Sequence, residues 1–255
     1  MSEQTANQSP PTASLSDPEL TGRARTHVTA VEQMQCILHP QAGAALLALR
    51  GAAAREGLDP WPVSGFRDFS RQLAIWNAKF RGERPLLDRN SQPLRAADLD
   101  VAERVAAILV WSALPGASRH HWGSDFDLID RGAHEPGTKV ELLDADYAAG
   151  GRYARLAAWL ARHAHAYGFF HPYDRDRGGV HPEPWHLSYA PVAAPAQAAM
   201  SPRLLAAALA GAGLDGEAIV MERLEELFER FVAAVAPAPA EALAAAAVSR
   251  AARPA

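Results

Sequence analysis

Two short segments rich in histidine and carboxylate side chains place the strongest restriction on the fold of this chain. The first runs from Ser118 to Asp127 and the second from His181 to His186. Together they contain imidazoles and carboxylates that can bind zinc. A catalytic zinc ion takes three protein ligands and leaves one position open for water. A metal site of this kind therefore requires a fold that brings the two segments into one cleft.

The local sequence indicates how such a cleft would form. The segment 124–129 alternates like a β-strand, with Asp127 on it and His120 in the turn before it, so both side chains can point into one cleft. Glu183 shares a short segment with His186 and would be held near the metal, where a carboxylate can accept the proton of a water molecule. On spacing alone, His120 also fits an exposed loop residue and Glu183 a solvated carboxylate.

Composition excludes several classes of function. The 255 residues carry a formal net charge of −4 and no basic stripe, which argues against a nucleic-acid partner. The single Cys36 excludes an internal disulfide and a zinc site built from several cysteines. No run approaches the roughly 18–20 apolar residues of a membrane span. Residues 1–20 lack the features of a secretory signal, so we expect a cytoplasmic protein; a different start site or a trimmed chain would allow a periplasmic one.

The pattern of apolar residues and breakers predicts an α+β fold with a small antiparallel sheet flanked by helices. The predicted helices are 22–38, 40–57, 70–80, 101–114 and 153–167, and the predicted strands are 60–66, 124–129, 169–173 and 185–189. The long loops 82–97 and 130–151 would shape the rim of the cleft. Near the C-terminus, apolar residues recur at helical spacing from Val220 to Val235. This stripe would pack either on the rest of the chain or against a second copy.

Three segments resemble a known enzyme family. The first histidine segment resembles the SxHxxGxAxD motif of the zinc D-alanyl-D-alanine carboxypeptidases related to VanY and VanX, and the second resembles their ExxH motif. Upstream, Ser64-Gly65-Phe66-Arg67 followed by Gln72 resembles the SGYRS…Q segment of VanY-like enzymes. The motifs follow the family's order over about residues 60–190. The matching positions of the two histidine motifs are Ser118, His120, Gly123, Asp127, Glu183, Trp185 and His186.

The resemblance implies a role for the polar side chains that match. Glu183 would act as the general base on the attacking water. Arg67 would hold the substrate carboxylate or stabilise the oxyanion with its planar donor fork. Ser118 and Gln72 would help to position the substrate. From the residues alone, Arg67 also fits a surface ion pair and Gln72 a structural residue. The zinc ligands implied by the family are His120, Asp127 and His186.

One position departs from the family pattern. The family usually has a small residue two positions before the ligand aspartate, whereas this chain has Asp125. Strand alternation places Asp125 on the same face as Asp127. Its carboxylate could orient a ligand imidazole, bind substrate or compete for the metal, and we assign it to substrate binding. His121 lies next to His120 and His181 next to the ExxH segment, and the family spacing favours neither as a ligand.

The resemblance also implies a fold, and composition suggests a division of the chain. The fold would be that of the metallopeptidase superfamily that includes lysostaphin-type and hedgehog-type proteins (the LAS type), with a zinc cleft on the sheet. Residues 1–20 would form a disordered leader and 21–195 the zinc peptidase domain. Residues 196–236 would form a helical extension, and 237–255 an Ala/Pro-rich tail.

The expected function is hydrolysis of a peptide bond in a peptidoglycan stem peptide or muropeptide, most simply removal of a terminal D-alanine. The zinc motif does not encode which bond is cut, so an L,D-carboxypeptidase or an endopeptidase remains an alternative. A catalytically silent zinc-binding module is an alternative of another class. Glu183 argues against it, because a purely structural zinc site needs no base.

Overall fold

The computed structural model describes residues 14–251, and the side chains of residues 14–245. Its strands are β1 (Thr29–Val31), β2 (Cys36–Leu38), β3 (Pro60–Ser64), β4 (Leu86–Leu87), β5 (Pro93–Leu94), β6 (Asp125–Asp130), β7 (Phe169–Phe170) and β8 (His186–Tyr189). The central sheet has four antiparallel strands in the order β3-β6-β8-β7. Two small hairpin sheets, β1-β2 and β4-β5, accompany it.

Helices surround the central sheet. They are α1 (Asp17–Leu20), α2 (Pro40–Ala54), α3 (Phe69–Phe80), α4 (Val101–Trp111), α5 (Asp144–Tyr147), α6 (Ala154–His163), α7 (Ala190–Ala199), α8 (Pro202–Leu209), α9 (Glu217–Glu222), α10 (Leu224–Phe228) and α11 (Ala240–Ala251). Short 3-10 turns include Arg119–Trp122, directly before β6. The prediction of an α+β fold with a small antiparallel sheet flanked by helices is confirmed.

Strand β6 lies in the middle of the sheet, and all of its residues are buried. Phe126 and Leu128 belong to an apolar core shared with Leu46 of α2 and Trp159 of α6. Successive side chains of a strand point to opposite faces, so Asp127 lies on the other face of the sheet. A buried carboxylate requires polar partners, and this face therefore has to carry the site.

The strand register determines which residues meet on that face. Asp127 of β6 pairs directly with His186, the first residue of β8. On the other side Asp127 pairs with Ser64, after a register shift that begins at Pro62. The segment that follows Ser64 includes Arg67. The sheet thus brings all three motifs to one place.

The C-terminal helices pack on the rest of the chain. Leu205 of α8, Val220 of α9 and Phe228 of α10 are buried in one core with Trp76 of α3 and Ile108 of α4. The predicted apolar stripe therefore packs within the molecule, although it is divided between α9, α10 and a π-helical turn at Glu229–Ala233.

Two sequence-based expectations for the N-terminal part are wrong. Residues 22–38 do not form a helix, since Thr29–Val31 and Cys36–Leu38 pair as a hairpin. Gln35, with φ of 50°, provides the left-handed residue at its turn, and the β-branched residues favour the strands. The predicted disordered leader includes α1, whose Leu20 is buried; residues 1–13 lie outside the described residues.

The predicted tail also differs from the structure. Residues 240–251 form α11, which contacts α7, and Ala242 lies in the same core as α3 and α4. Residues 252–255 lie outside the described part of the chain. Among residues 14–251, no helix combines the length and the apolar character required to cross a bilayer.

Candidate metal centre and catalytic pocket

Three side chains meet on the polar face of the sheet. His120 comes from the 3-10 turn before β6, Asp127 from the middle of β6, and His186 from the start of β8. One ligand atom of each lies within 4.8 Å of the others. His120 Nε2 is 3.6 Å from Asp127 Oδ2, and His186 Nδ1 is 3.3 Å from Asp127 Oδ1. We call these three residues the metal triad.

A glycine makes the approach of His120 possible. Gly123 ends the 3-10 turn with φ of 65°, a conformation that residues with a Cβ rarely adopt. A Cβ at this position would lie 2.5 Å from Val28 Cγ1 and 2.7 Å from the backbone nitrogen of His39. Gly123 is therefore required both for the turn and for the close packing beneath it.

Hydrogen bonds fix the orientation of both imidazoles. His120 Nδ1 lies 2.9 Å from the carbonyl oxygen of Gly65, so Nδ1–H donates and the lone pair of Nε2 faces the triad. His186 Nε2 lies 3.1 Å from Asp125 Oδ1, so Nε2–H donates and Nδ1 faces the triad. Partners of this kind are typical of metal-binding histidines.

The donor set fits a zinc ion. Asp127 Oδ1 is buried and accepts no hydrogen bond of ordinary geometry. Leaving such an oxygen without a partner is costly, and a cation bound between the three side chains would satisfy it. Two imidazoles and one carboxylate, with a further position open to a pocket, match the ligands of catalytic zinc sites.

The charges around the triad also favour a cation. Burial raises the pKa of Asp127 on its own, but the nearby His120, His186 and Arg67 outweigh it and hold this pKa well below its usual range. Burial lowers the pKa of His120 to about 3, which keeps its imidazole neutral. Burial also acts to lower the pKa of His186, but three nearby carboxylates raise it well above its usual value. The centre is thus a buried, carboxylate-rich position.

Glu183 lies beside the triad. Its Oε2 is 3.1 Å from His186 Nδ1, and its backbone N–H donates to the carbonyl oxygen of Tyr173 at 3.0 Å. The side chain is 13 % exposed and faces the pocket. Burial raises the pKa of its carboxyl group. Glu183 is therefore positioned to accept a proton from a water molecule near the triad.

Arg67 reaches the same place from the segment after β3. Its Nη1 donates to Gln72 Oε1 at 3.1 Å, and its Nη2 lies 3.7 Å from Asp127 Oδ2. Its Nε is buried without a hydrogen-bond partner. Arg67 thus presents a positive charge with unused donor capacity next to the triad, and it is not a surface ion pair.

A pocket of about 240 Å³ opens over these residues. Ser118 contributes to its lining, as the sequence predicts for a substrate residue, and Tyr173 adds an aromatic ring that packs edge-on against His186 at 5.0 Å. One wall is apolar. The residues of this wall are Trp111, Leu142, Val180 and Trp185.

Two residues predicted to bind substrate do not reach the pocket. Gln72 is completely buried and bonds Arg67, Ser112 Oγ and the carbonyl oxygen of Ala113. Asp125 is also completely buried. Its carboxylate accepts hydrogen bonds from His186 and from neighbouring donors, so it cannot contact a substrate. Both residues lie outside the pocket and hold side chains that line it, Gln72 holding Arg67 and Asp125 holding His186.

The neighbouring histidines do not belong to the triad. His121 Nε2 accepts from the backbone N–H of Gly116 at 3.1 Å, and its Nδ1 donates to the carbonyl oxygen of Arg67 at 2.6 Å. His181 bonds Asp144 at 2.6 Å and stacks on Trp111. Both imidazoles are held by other partners, in agreement with the family spacing.

Sequence reasoning missed Tyr173 and Arg119. Tyr173 lies in the loop after β7, where no motif marks it. Arg119 lies inside the first histidine motif, at a position that the motif leaves free, and it is only 4 % exposed. A buried arginine cannot be recognised from sequence unless its partners are known.

Comparisons with known proteins agree with this site. A family model described as VanY, D-alanyl-D-alanine carboxypeptidase, matches residues 35–192. The chain belongs to the VanY family. The prediction of family and of a metallo-carboxypeptidase type of enzyme is thereby confirmed.

Individual relatives of this VanY-family chain match only parts of it, with moderate sequence identity. An uncharacterized protein of Haemophilus influenzae is 42 % identical over 98 residues, which cover 37 % of this chain and 67 % of that protein. A D-alanyl-D-alanine carboxypeptidase of Enterococcus faecalis is 27 % identical over 141 residues, 54 % of this chain and 42 % of that enzyme. The chain thus spans less than half the length of the enterococcal enzyme.

Solved structures of similar proteins include two peptidases. A vancomycin-resistance D,D-pentapeptidase VanY in complex with Zn(II) is 22 % identical, with a TM-score of 0.48, and the match covers 67 % of this chain and 82 % of that one. The LD-carboxypeptidase LdcB is 21 % identical, also with a TM-score of 0.48, and covers 82 % of this chain and 80 % of that one.

Proposed function

We propose that this protein is a zinc carboxypeptidase that removes the terminal D-alanine from peptidoglycan stem peptides. One observation carries the proposal. The carboxylate of Glu183 and the guanidinium of Arg67 flank the metal triad in a single pocket, in a chain of the VanY family. A base, a cation and a metal position are the parts that hydrolysis of a C-terminal peptide bond requires.

Each side chain has a separate task in this proposal. His120, Asp127 and His186 hold the metal, and zinc when bound supplies Lewis-acid polarisation of the scissile carbonyl and acidifies a water molecule. Glu183 takes the proton from the attacking water. Arg67 offers two or more N–H groups to the terminal carboxylate or to the oxygen on which negative charge develops.

The dimensions of the pocket favour the end of a peptide. Its volume of about 240 Å³ is smaller than the roughly 300–1,000 Å³ of pockets for drug-sized ligands. Trp111 and Trp185 on the apolar wall can pack against a methyl side chain. A single terminal alanine therefore suits this space better than an internal segment of a longer peptide.

The test uses the zinc-loaded protein and purified stem tripeptide, tetrapeptide and pentapeptide, with products weighed by mass spectrometry. We expect the pentapeptide ending in D-Ala-D-Ala to lose one alanine and the tetrapeptide to remain. The Glu183→Gln variant should leave the pentapeptide intact, and the exposed Glu135→Gln should cleave it normally. Trimming of the tetrapeptide in place of the pentapeptide would identify an L,D-carboxypeptidase. Release of fragments only from cross-linked dimers would identify an endopeptidase, and either result would overturn the proposal.

A further inference from the structure

A chain of buried polar groups lies behind the metal triad. Asp125 Oδ1 accepts from His186 Nε2 at 3.1 Å and from Arg119 Nε at 2.8 Å. Arg119 Nη1 donates to Gln197 Oε1 at 2.7 Å, and its Nη2 donates to Ser188 Oγ at 2.7 Å. We call Asp125, Arg119 and Gln197 the positioning network, because their hydrogen bonds lead through Asp125 to His186.

Asp125 acts on the orientation of His186. Its side chain is 0 % exposed, and it does not line the pocket. By accepting a hydrogen bond from Nε2–H it keeps the imidazole turned so that Nδ1 faces Asp127. A carboxylate in this position also increases the basicity of the imidazole as a metal ligand. Asp125, the residue that departs from the family motif, therefore forms a hydrogen bond with His186 of the metal triad.

Arg119 prevents Asp125 from acting as a ligand itself. Its guanidinium and the Nε2–H of His186 both donate to Asp125 Oδ1, and Ser124 Oγ donates to Oδ2. Asp125 is accordingly not among the described residues that could hold a metal ion together. Arg119 also balances the buried negative charge, which would otherwise be costly so far from water.

Gln197 links the network to the C-terminal helices. It lies on α7, beyond residue 192, where the match to the VanY model ends. Its Oε1 accepts from Arg119, and its Nε2 donates to the carbonyl oxygen of Val232 at 3.0 Å. Val232 belongs to the π-helical turn that follows α10. An unbroken series of hydrogen bonds thus runs from the C-terminal segment to His186.

We propose that Asp125, Arg119 and Gln197 are positioning residues that set the affinity of the centre for zinc by orienting His186. The proposal rests on the proposed function in one respect, that His186 is a metal ligand. It adds that residues to which the family motifs assign no role, including one in the C-terminal helices, determine how tightly the metal is held.

The experiment measures the dissociation constant for zinc by competition with a chelator on the full chain. Loss of a carboxylate that holds a metal-binding histidine typically weakens metal binding roughly 10- to 100-fold, and we expect this for Asp125→Asn. Gln197→Leu removes a hydrogen bond to Arg119, further from His186, and we expect zinc binding to weaken roughly 2- to 10-fold. The matched control is Asp130→Asn, a buried aspartate of the same strand whose Oδ1 bonds only backbone N–H groups. It should bind zinc like the wild type.

Two further readouts separate positioning from general destabilisation. In the double variant Asp125→Asn/Gln197→Leu, zinc binding should be no weaker than in Asp125→Asn alone, because Gln197 acts through Asp125. The absorption spectrum of the cobalt-substituted protein should change in Asp125→Asn and Gln197→Leu and stay constant in Asp130→Asn. Melting temperatures are recorded for all variants, because Asp125→Asn leaves the charge of Arg119 unbalanced. Gln197→Leu keeps both charges and provides the test if Asp125→Asn does not fold.

Clear outcomes would overturn the proposal. Wild-type zinc affinity in both Asp125→Asn and Gln197→Leu, or losses that simply add in the double variant, would exclude a network that acts through His186. His186→Ala is measured in parallel. If His186→Ala loses zinc while Asp125→Asn and Gln197→Leu retain it, the network alone is refuted. If His186→Ala retains zinc, the assignment of the metal triad fails as well.

Discussion

Arg67→Lys separates a substrate-binding arginine from a structural one. The guanidinium of Arg67 donates to Gln72, lies 3.7 Å from Asp127 Oδ2, and keeps a buried Nε without a partner. A lysine keeps the positive charge but carries a single nitrogen on a flexible stem. It can replace one of these interactions at most, so it cannot grip a carboxylate with two parallel hydrogen bonds.

The expected loss follows from the hydrogen bond that is removed. A hydrogen bond to a charged group contributes about 1.5–3 kcal/mol, which corresponds to a fall in kcat/KM of roughly 10- to 150-fold. Stability should fall by only about 1 kcal/mol, because the ammonium of lysine can replace the bond to Gln72 inside the fold. The kinetic effect should therefore exceed the effect on folding.

The assay compares a stem peptide with a free terminal carboxylate and the same peptide as its amide. We expect the larger loss for the free acid, and no loss for either in the exposed control Arg71→Lys. Equal losses on both peptides would place the contact at the oxyanion. Wild-type kinetics together with a lowered melting temperature would show that Arg67 serves only the fold, and would refute the reasoning.

Three other perturbations test separate parts of the account. Glu183→Ala should retain about one zinc per chain while kcat falls roughly 10²- to 10⁴-fold, measured by metal analysis and peptide turnover; near-normal turnover would exclude it as the base. Gln72→Leu removes the acceptor that holds Arg67, so kcat/KM should fall roughly 3- to 10-fold with zinc content unchanged; loss of zinc instead would assign Gln72 to the metal centre. Burial alone raises the pKa of Glu19, but hydrogen bonds from neighbouring groups outweigh it and lower the pKa from 4.5 to about 2. The folded chain therefore takes up this proton at lower pH than the unfolded chain, and about 1–2 kcal/mol of stability present above pH 4.5 is lost towards pH 2. Urea unfolding at pH 7 and pH 3 should show a smaller loss for Glu19→Gln than for the wild type or the exposed control Glu83→Gln, and equal losses would contradict it.

The metal triad could be predicted from sequence because its signal is local. His120 and Asp127 lie in one motif, and the family resemblance adds His186, which the strand register places opposite Asp127. The helix α4 was predictable for the same reason, since Asp100 caps it through a capping box.

The roles of Asp125 and Gln72 could not be predicted in this way. Whether a polar side chain faces a pocket or supports it from behind depends on partners far away in the chain. Asp125 is buried because Arg119 and His186 surround it, and Gln72 because its amide reaches Ala113. The family motif predicts that such positions are polar or small, but it does not predict the contacts that withdraw them from substrate.

The C-terminal part shows a similar limit. Its alanine-rich composition is typical of a frayed tail, yet Ala242 is completely buried beside the helices that carry the core. A small side chain packs well where two helices approach closely, and that approach is determined by tertiary structure. The hairpin at residues 29–38 likewise depends on pairing, which outweighs local helix propensity.

Metal content is the most direct test of the central claim. This claim is that His120, Asp127 and His186 hold a zinc ion, and that Glu183 acts on water beside it without being a ligand. The wild type, His186→Ala and Glu183→Gln are dialysed exhaustively after exposure to zinc and analysed for bound metal. We expect about one zinc per chain in the wild type and in Glu183→Gln, and none in His186→Ala. Full occupancy in His186→Ala would contradict the account.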